Sequence, residues 1–279
     1  VDYNQIFIAS LMKQPEIHIT GRADENLVRH MVLNSIRSYR TKFKNEYGEL
    51  VICCDSNRNW RKSFFPEYKA HRKKGREKSS LDWDNIFQSL NKIRDELKDF
   101  FPYPVIRIEG AEADDIIAIM TEELDEKILI LSGDKDFGQL QKFAKVSQFS
   151  PLKKEFLKIE NPEKFLKEQI LRGDKGDGVP NFLSPSNTFV SGSRQVPLSK
   201  SKVNRWIDLE PEIFCNYEMS VGYHRNKQMV QLSSDVIPEN VTNNILEHWK
   251  NYELNDRSGL LPYFVRNKLK LLTDKIEDF

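Results

Sequence analysis

A chain of 279 residues is long enough for one large domain or two small ones, each with a real core. Its charged fraction of 30% and hydrophobic fraction of 39% exclude a membrane protein, no apolar run approaches the ~18–20 residues of a transmembrane helix, and no secretory h-region is visible. The net charge of +1 hides a segregation: Arg58 to Lys78 holds nine Lys/Arg against two Glu, +7 in 21 residues, leaving about −6 for the rest.

In chain order, Asp2 comes first; if it ends a strand, most of that strand lies outside the sequence. Asp24 to Tyr39 reads as a helix with Leu27, Val28, Met31, Val32 and Ile36 on one side. The unbroken apolar run Leu50–Cys54 predicts a buried strand that delivers Asp55 at its end. Two of the three cysteines, Cys53 and Cys54, sit in this strand, so neither a disulfide framework nor a zinc site is expected and a reducing, cytoplasmic setting fits. Asp82 or Asp84 can cap a helix reaching about Phe100, with Ile86, Leu90, Ile93, Leu97 and Phe100 inward. A strand at 105–108, a helix through Asp114–Glu123 and a strand at 128–131 follow. This alternation predicts an α/β fold, a mostly parallel sheet covered by helices.

Farther on, Asn161-Pro162-Glu163 is a helix start with N-cap, first-turn proline and favourable acid, and Gly173 ends the helix. Residues 181–201 turn to Ser, Pro, Asn and Gly and read as a loop. After Pro238 the pattern is helical again, closing in an amphipathic tail around Tyr263, Phe264, Leu269, Leu271 and Leu272.

The acidic residues fall where strands and helices should end: Asp2, Asp55, Glu112-Ala113-Asp114-Asp115, Asp134-Lys135-Asp136 and Asp174-Lys175-Gly176-Asp177. In an open α/β sheet the carboxyl ends of the strands are where ligands bind. Nine carboxylates converging there would repel one another unless a cation lay between them, and hard divalent ions with oxygen ligands, Mg²⁺ above all, meet that need. Each cluster has a plainer reading by itself. Asp134-Lys-Asp136 can be a solvated turn with a capping Asp or an aspartyl-phosphate motif, and acids in a helix's first turn favour its dipole. The Gly173–Pro180 turn can orient backbone groups towards a phosphate or a cation. In the basic band, Trp60, Phe64, Phe65 and Tyr68 interleave with Arg61, Lys62, Lys69, Arg72, Lys73 and Lys74, which suits phosphates and unpaired bases; a solvated basic helix is the alternative. His71 reads as a phosphate contact or plain surface. No Ser-His-Asp, Cys-His, Walker A or dinucleotide motif appears, so nucleophilic catalysis by a side chain has no candidate.

Taken in order, Asp2, Asp55, Trp60-Arg61-Lys62, Tyr68-Lys69-x-x-Arg72, Glu112-Ala-Asp114-Asp115, Ser132-Gly-Asp134-Lys-Asp136-Phe137 and Gly173-Asp174-x-x-Asp177 resemble the flap endonuclease / 5′-nuclease family. Within it they look closest to the ribonuclease H branch of T-even-type bacteriophages, which is unrelated to the cellular ribonuclease H fold. The resemblance runs nearly end to end, including Tyr263-Phe264-Val265.

It implies a PIN-like α/β nuclease core at 1–160, with a helical arch at about 57–80 for a single-stranded 5′ end. A helical region at 161–279 would carry a helix–three-turn–helix unit that binds duplex backbone. By the same resemblance Asp55, Glu112, Asp114 and Asp134, with Asp2, serve a first metal ion, and Asp136, Asp174 and Asp177 a second, largely through water; Asp115 is counted among the metal residues without a place in either set. The ions would be Mg²⁺, with Mn²⁺ as a substitute. Lys69 and Arg72, with Asp114 and Asp134, would form the catalytic set. Arg61, Lys62, Tyr68, Lys69, Arg72, Lys73, Lys74, Lys175, Gly176, Gly178, Lys200 and Lys202 would meet nucleic acid. The implied activity is Mg²⁺-dependent 5′-nuclease cleavage of RNA·DNA and DNA duplexes and 5′ flaps, removing RNA primers during replication. The implied setting is a monomer in the host cytoplasm if phage-encoded, away from membranes, with a sliding clamp or single-strand-binding protein as partners. Two rivals are a structure-specific DNA-binding protein without catalysis, which would gain nothing from carboxylates that repel phosphate, and a PIN-type ribonuclease, which would lack the basic arch and the Gly173–Pro180 turn.

Overall fold

The computed structural model describes residues Val1–Phe279. Asp2 caps helix α1 (Tyr3–Leu11), and a short α2 (Ile17–Thr20) leads to α3 (Glu25–Tyr47), capped by Asp24 and running well past Tyr39 to Gly48. Strand β1 is Ile52–Cys53. The basic band folds as two short helices, α4 (Arg61–Phe64) and α5 (Ala70–Glu77), before the long α6 (Trp83–Phe100) that Asp82 caps. Strand β2 (Val105–Ile106), helix α7 (Ala113–Glu123) and strand β3 (Ile128–Leu131) follow in the expected alternation. A 3₁₀ segment (Lys135–Lys142) leads into the β4 (Val146–Ser150) and β5 (Glu155–Leu157) hairpin. The rest is helical: α8 (Pro162–Arg172), a 3₁₀ turn (Lys175–Asp177), α9 (Lys200–Trp206), α10 (Pro211–Phe214), α11 (Tyr217–Val230), α12 (Glu239–Lys250), α13 (Leu260–Arg266) and α14 (Lys270–Thr273).

The expected mostly parallel sheet is smaller than its apolar runs suggested. The fold is mixed α/β and mostly helical, with two small sheets. In one, β1 and β2 pair in parallel, extended by a parallel bridge from Asp2 to Cys53; in the other, β3 and β4 are parallel and β5 is antiparallel. Strand β2 stops at Ile106 because the chain soon turns, with Ala111 N–H donating to the Ile108 carbonyl. An apolar cavity of about 730 Å³, lined by Val51, Cys53, Ile117, Met120, Ile128 and Ile130, reaches both sheets.

Both faces of these strands are buried. Ile52, Cys54, Val105 and Leu131 join one apolar cluster, while their neighbours Cys53, Ile106 and Ile130 join the other. Successive strand residues point to opposite faces, so an unbroken apolar run is what a sheet covered on both sides requires. The first cluster contains Tyr3 and Phe7 of α1, the inner faces of α3 and α6, and the tail residues Tyr263, Phe264, Leu269 and Leu272. The amphipathic tail is therefore core on its inner side. The second packs α7 against residues of α8, α11 and α12.

Helix α8 ends where the sequence put its stop. Gly173 has a φ of +66°, and a Cβ there would lie 2.4 Å from the Val179 and Pro180 carbonyl oxygens. Only glycine lets the chain double back so closely. The loop at 181–199 contains no helix or strand but is held from within: Arg225 of α11 donates to the Pro180, Asn181 and Ser184 carbonyls, and Asn181 bonds to Gln195 and Val196.

Candidate active site

The acidic residues gather because strand ends and helix starts meet at one edge of the molecule, and helix N-termini offer unpaired N–H groups to carboxylates. Asp2 accepts from Gln5 N–H at 3.0 Å, Asp134 from Asp136 N–H at 3.0 Å, and Asp174 from Asp177 N–H at 3.1 Å. Asp55, leaving β1, accepts from Ala113 N–H of α7 at 2.8 Å.

Their electrostatics divide them. Burial pushes Asp2 up to about 6, the Gln5 N–H pulling it down and Asp55 adding repulsion. Burial, then Asp134 and Asp174, push Asp136 up to about 7. Asp55 is raised by burial and Glu112, and Asp114 is raised well above the carboxylate range by burial with Asp2, Glu112 and Asp134 around it. Burial works on Glu112 too, but Lys69 and Arg61 outweigh it and hold that carboxyl down at about 2.

The countercharges come from the basic band and the turn. Lys69 Nζ lies 2.6 Å from Glu112 Oε1 and 3.6 Å from Asp177 Oδ2, Arg72 Nη2 lies 2.6 Å from Asp177 Oδ1, and Lys135 Nζ lies 2.7 Å from Asp174 Oδ2. Lys69 reaches inward because its backbone takes a left-handed conformation, φ +55°, where its N–H donates to the Asp177 carbonyl. No group of three or more His, Cys, Asp or Glu side chains is drawn into a closed cage here; Glu112, Asp174 and Asp177 pair with Lys69, Lys135 and Arg72.

The donor set nonetheless fits a hard divalent cation. It is all carboxylate oxygen, and Asp2, Asp55, Asp114 and Asp136 carry burial and mutual repulsion that no basic residue relieves as Lys69 relieves Glu112.

Four expected site residues have other work in the fold. Asp115 is fully buried, accepts from Trp60 Nε1 and Arg61, and closes a capping box with the Glu112 N–H. Three positions past Glu112 it turns into the core, so it is not part of the acidic edge. Arg61, expected to meet nucleic acid, is 2% exposed and sealed against Asp115, Glu112 and the Met229 carbonyl. Tyr68 is also buried, its hydroxyl 2.8 Å from both Glu112 Oε2 and Asp177 Oδ2, and Trp60 and Phe65 are buried with it. Gly178 lies under His71, whose Nδ1 would be 3.1 Å from a Cβ there. A basic band read as one solvent-facing strip is thus amphipathic: its aromatics and Arg61 anchor it, and Phe64 keeps a ring in solvent. Lys62, Lys73, Lys74, Lys175, Gly176, Lys200 and Lys202 are exposed.

Neutral amides around the carboxylates went unread. Asn4 Nδ2 lies 2.5 Å from Asp55 Oδ2, Gln5 Oε1 accepts from Gly133 N–H, Gln148 Nε2 donates to the Ser132 and Asp134 carbonyls, and Gln169 Nε2 reaches Asp136. Gln148 left a trace, a polar residue beside Phe149 in a buried strand. Asn4 and Gln5 left none, since amides in a first helical turn are unremarked.

Two family models cover the chain: a 5′-3′ exonuclease N-terminal resolvase-like domain at residues 5–169, and the C-terminal region of T4 RNase H at 161–279. The ribonuclease H of Enterobacteria phage T4 is 35% identical over 292 aligned positions, covering 100% of this chain and 94% of that protein. A 5′-3′ exonuclease of Buchnera aphidicola is 29% identical over 159 residues, 53% of each chain. Among solved structures, a phage T5 flap endonuclease captured with DNA and metal ions superposes with a TM-score of 0.60 at 17% identity, over 90% of this chain and 98% of that one. A phage T5 5′-exonuclease with zinc bound gives 0.56 at 17% identity, over 88% and 97%.

Proposed function

The chain belongs to the 5′-3′ exonuclease and flap endonuclease family as a homologue of phage T4 ribonuclease H, and from that premise we propose how its own residues cut a phosphodiester. It is a nuclease acting on the 5′ ends of nucleic acids. The observation that carries the finer reading is the set of buried, mutually repelling carboxylates at one edge, bordered by Lys69 and Arg72.

In this reading Asp55, Glu112, Asp114 and Asp134, with Asp2, would hold one Mg²⁺ and Asp136, Asp174 and Asp177 a second, with Mn²⁺ as a substitute. Bound there, the ions would supply an activated water and neutralise charge on the phosphate. Lys69 and Arg72, freed from Glu112 and Asp177, would bind the non-bridging oxygens of the scissile phosphate, Arg72 with its planar fork. Helices α4 and α5 would form the base of the arch at about 57–80, and Arg61 and Tyr68 would hold that base on the core. The exposed Lys73 and Lys74 would draw in the single strand by charge. The core would span 1–160. The region 161–279 would grip duplex backbone through the turn after α8, using Lys175, Gly176, Lys200 and Lys202. Substrates would be RNA·DNA and DNA duplexes with 5′ ends and 5′ flaps, leaving 5′-phosphates, and primer removal would be the setting.

The test is a labelled 5′-flap duplex and an RNA·DNA hybrid, each with Mg²⁺ and with chelator. Cleavage should require Mg²⁺ and vanish in Asp134→Asn, while duplex binding persists. Wild-type protein that binds both substrates and cuts neither would favour a purely DNA-binding role.

A further inference from the structure

Gln169, in the last turn of α8, is not explained by packing alone. Its side chain is all but 8% buried, and its Nε2 lies 2.5 Å from Asp136 Oδ1. In this contact the amide nitrogen donates and the carboxylate accepts. That orientation leaves Gln169 Oε1 buried with no hydrogen-bond partner. A buried acceptor without a donor costs stability, and native proteins rarely keep one without a use.

A nearby amide shows what a purely structural glutamine does here. Gln139 donates to the Asp136 and Val230 carbonyls and accepts from Leu232 N–H, so both ends of its amide are satisfied. Asp136 is therefore held twice, by Gln139 at its backbone and by Gln169 at its carboxylate. Gln169 also stands four residues before Gly173, on the helix that delivers Asp174 and Asp177.

We propose that Gln169 is a positioning residue of the second carboxylate group. Its Nε2 fixes the Asp136 carboxylate relative to the helix bearing Asp174 and Asp177, and the unpaired Oε1 is the cost of holding the amide in that orientation. This rests on the reading that Asp136, Asp174 and Asp177 share an ion. Residues that orient ligands in this way typically account for about 10–100-fold in metal affinity.

The experiment titrates Mn²⁺ into the full chain, with free Mn²⁺ followed by electron paramagnetic resonance. Gln169→Leu should weaken one class of Mn²⁺ site by about 10–100-fold and leave the other unchanged. Its turnover on a 5′-flap duplex should fall at low Mn²⁺ and recover at high Mn²⁺, a rescue that loss of packing would not give. Gln169→Met, nearer in length, provides a second variant without the donor should Leu unfold the chain. Unchanged Mn²⁺ affinity in a folded variant overturns the proposal. Asp136→Asn, titrated in parallel, separates the two ideas. If it binds Mn²⁺ like wild type, the reading of Asp136 fails and the proposal with it; if it loses affinity while both Gln169 variants keep theirs, the inference about Gln169 alone is wrong.

Discussion

Arg61 and Asp115 form an ion pair closed off from water, with Nη2 to Oδ1 at 2.8 Å and Trp60 donating to the same carboxylate. Such a pair adds little net stability but is expensive to break, because the surviving partner is left charged and buried. Arg61→Met should therefore lower unfolding stability by about 3–5 kcal/mol in a urea titration. Lys69 is a contrasting case, at the edge of the site with Glu112 as its close partner. Lys69→Ala should slow flap cleavage by about 10²-fold, the scale for losing one donor to developing charge. Its effect on duplex Kd should be far smaller, and equal losses in rate and binding would refute the assigned role. Asp115 carries the lesson at this scale: its type and spacing match a ligand, but three positions along a helix is enough to turn it into the core.

At the scale of elements, the turn after α8 depends on two close approaches. Gly222 of α11 sits against the loop so tightly that a Cβ would fall 1.9 Å from the Phe182 carbonyl oxygen. Arg225, one turn on, spreads its fork over neutral carbonyls, and burial with no carboxylate bonded to it lowers its pKa to about 10. Arg225→Met should keep the helix but release the loop, giving faster hydrogen exchange at 180–196 and weaker duplex binding. Unchanged exchange there would mean the loop holds itself. The loop was legible as a loop from its Ser, Pro and Gly content. Its anchor lies about forty residues away in sequence, and no local pattern signals that distance.

Over the whole molecule, burial and mutual repulsion at the acidic edge work against the fold, and the proposed ions would relieve them. Asp114 is raised by burial and by three acidic neighbours, so Asp114→Asn should raise the ion-free melting temperature while shrinking the rise that Mg²⁺ produces. Scanning calorimetry with Mg²⁺ and with chelator reads both, and an undiminished Mg²⁺ effect would remove Asp114 from the site. Elsewhere the reverse holds. Glu49 is held down at about 2, chiefly by Arg40, which also donates to the Asp278 carbonyl near the C-terminus. A carboxyl lowered in the fold stabilises fully above its unfolded value near 4.3 and loses that contribution as pH falls towards 2. Melting temperatures between pH 5 and pH 2.5 should fall less steeply in Glu49→Gln than in wild type.

By itself the sequence determined the alternation of strands and helices from β1 to β3, the starts of α3, α6 and α8, and the positions of the acidic residues along the chain. Those features are local: Asp24, Asp82 and Asn161 cap helices through bonds to residues two or three positions away. It also determined the burial of β1 and β3, since an unbroken apolar run needs two covered faces. The tertiary structure decided which acids face one another and which cation each one meets. Lys69 and Glu112 are 43 residues apart, Gln169 and Asp136 are 33 apart, and Arg72 and Asp177 are 105 apart. Charge repulsion and desolvation depend on such through-space distances, so the same carboxylate is held down at Glu112 and pushed up at Asp136 by neighbours that only folding supplies.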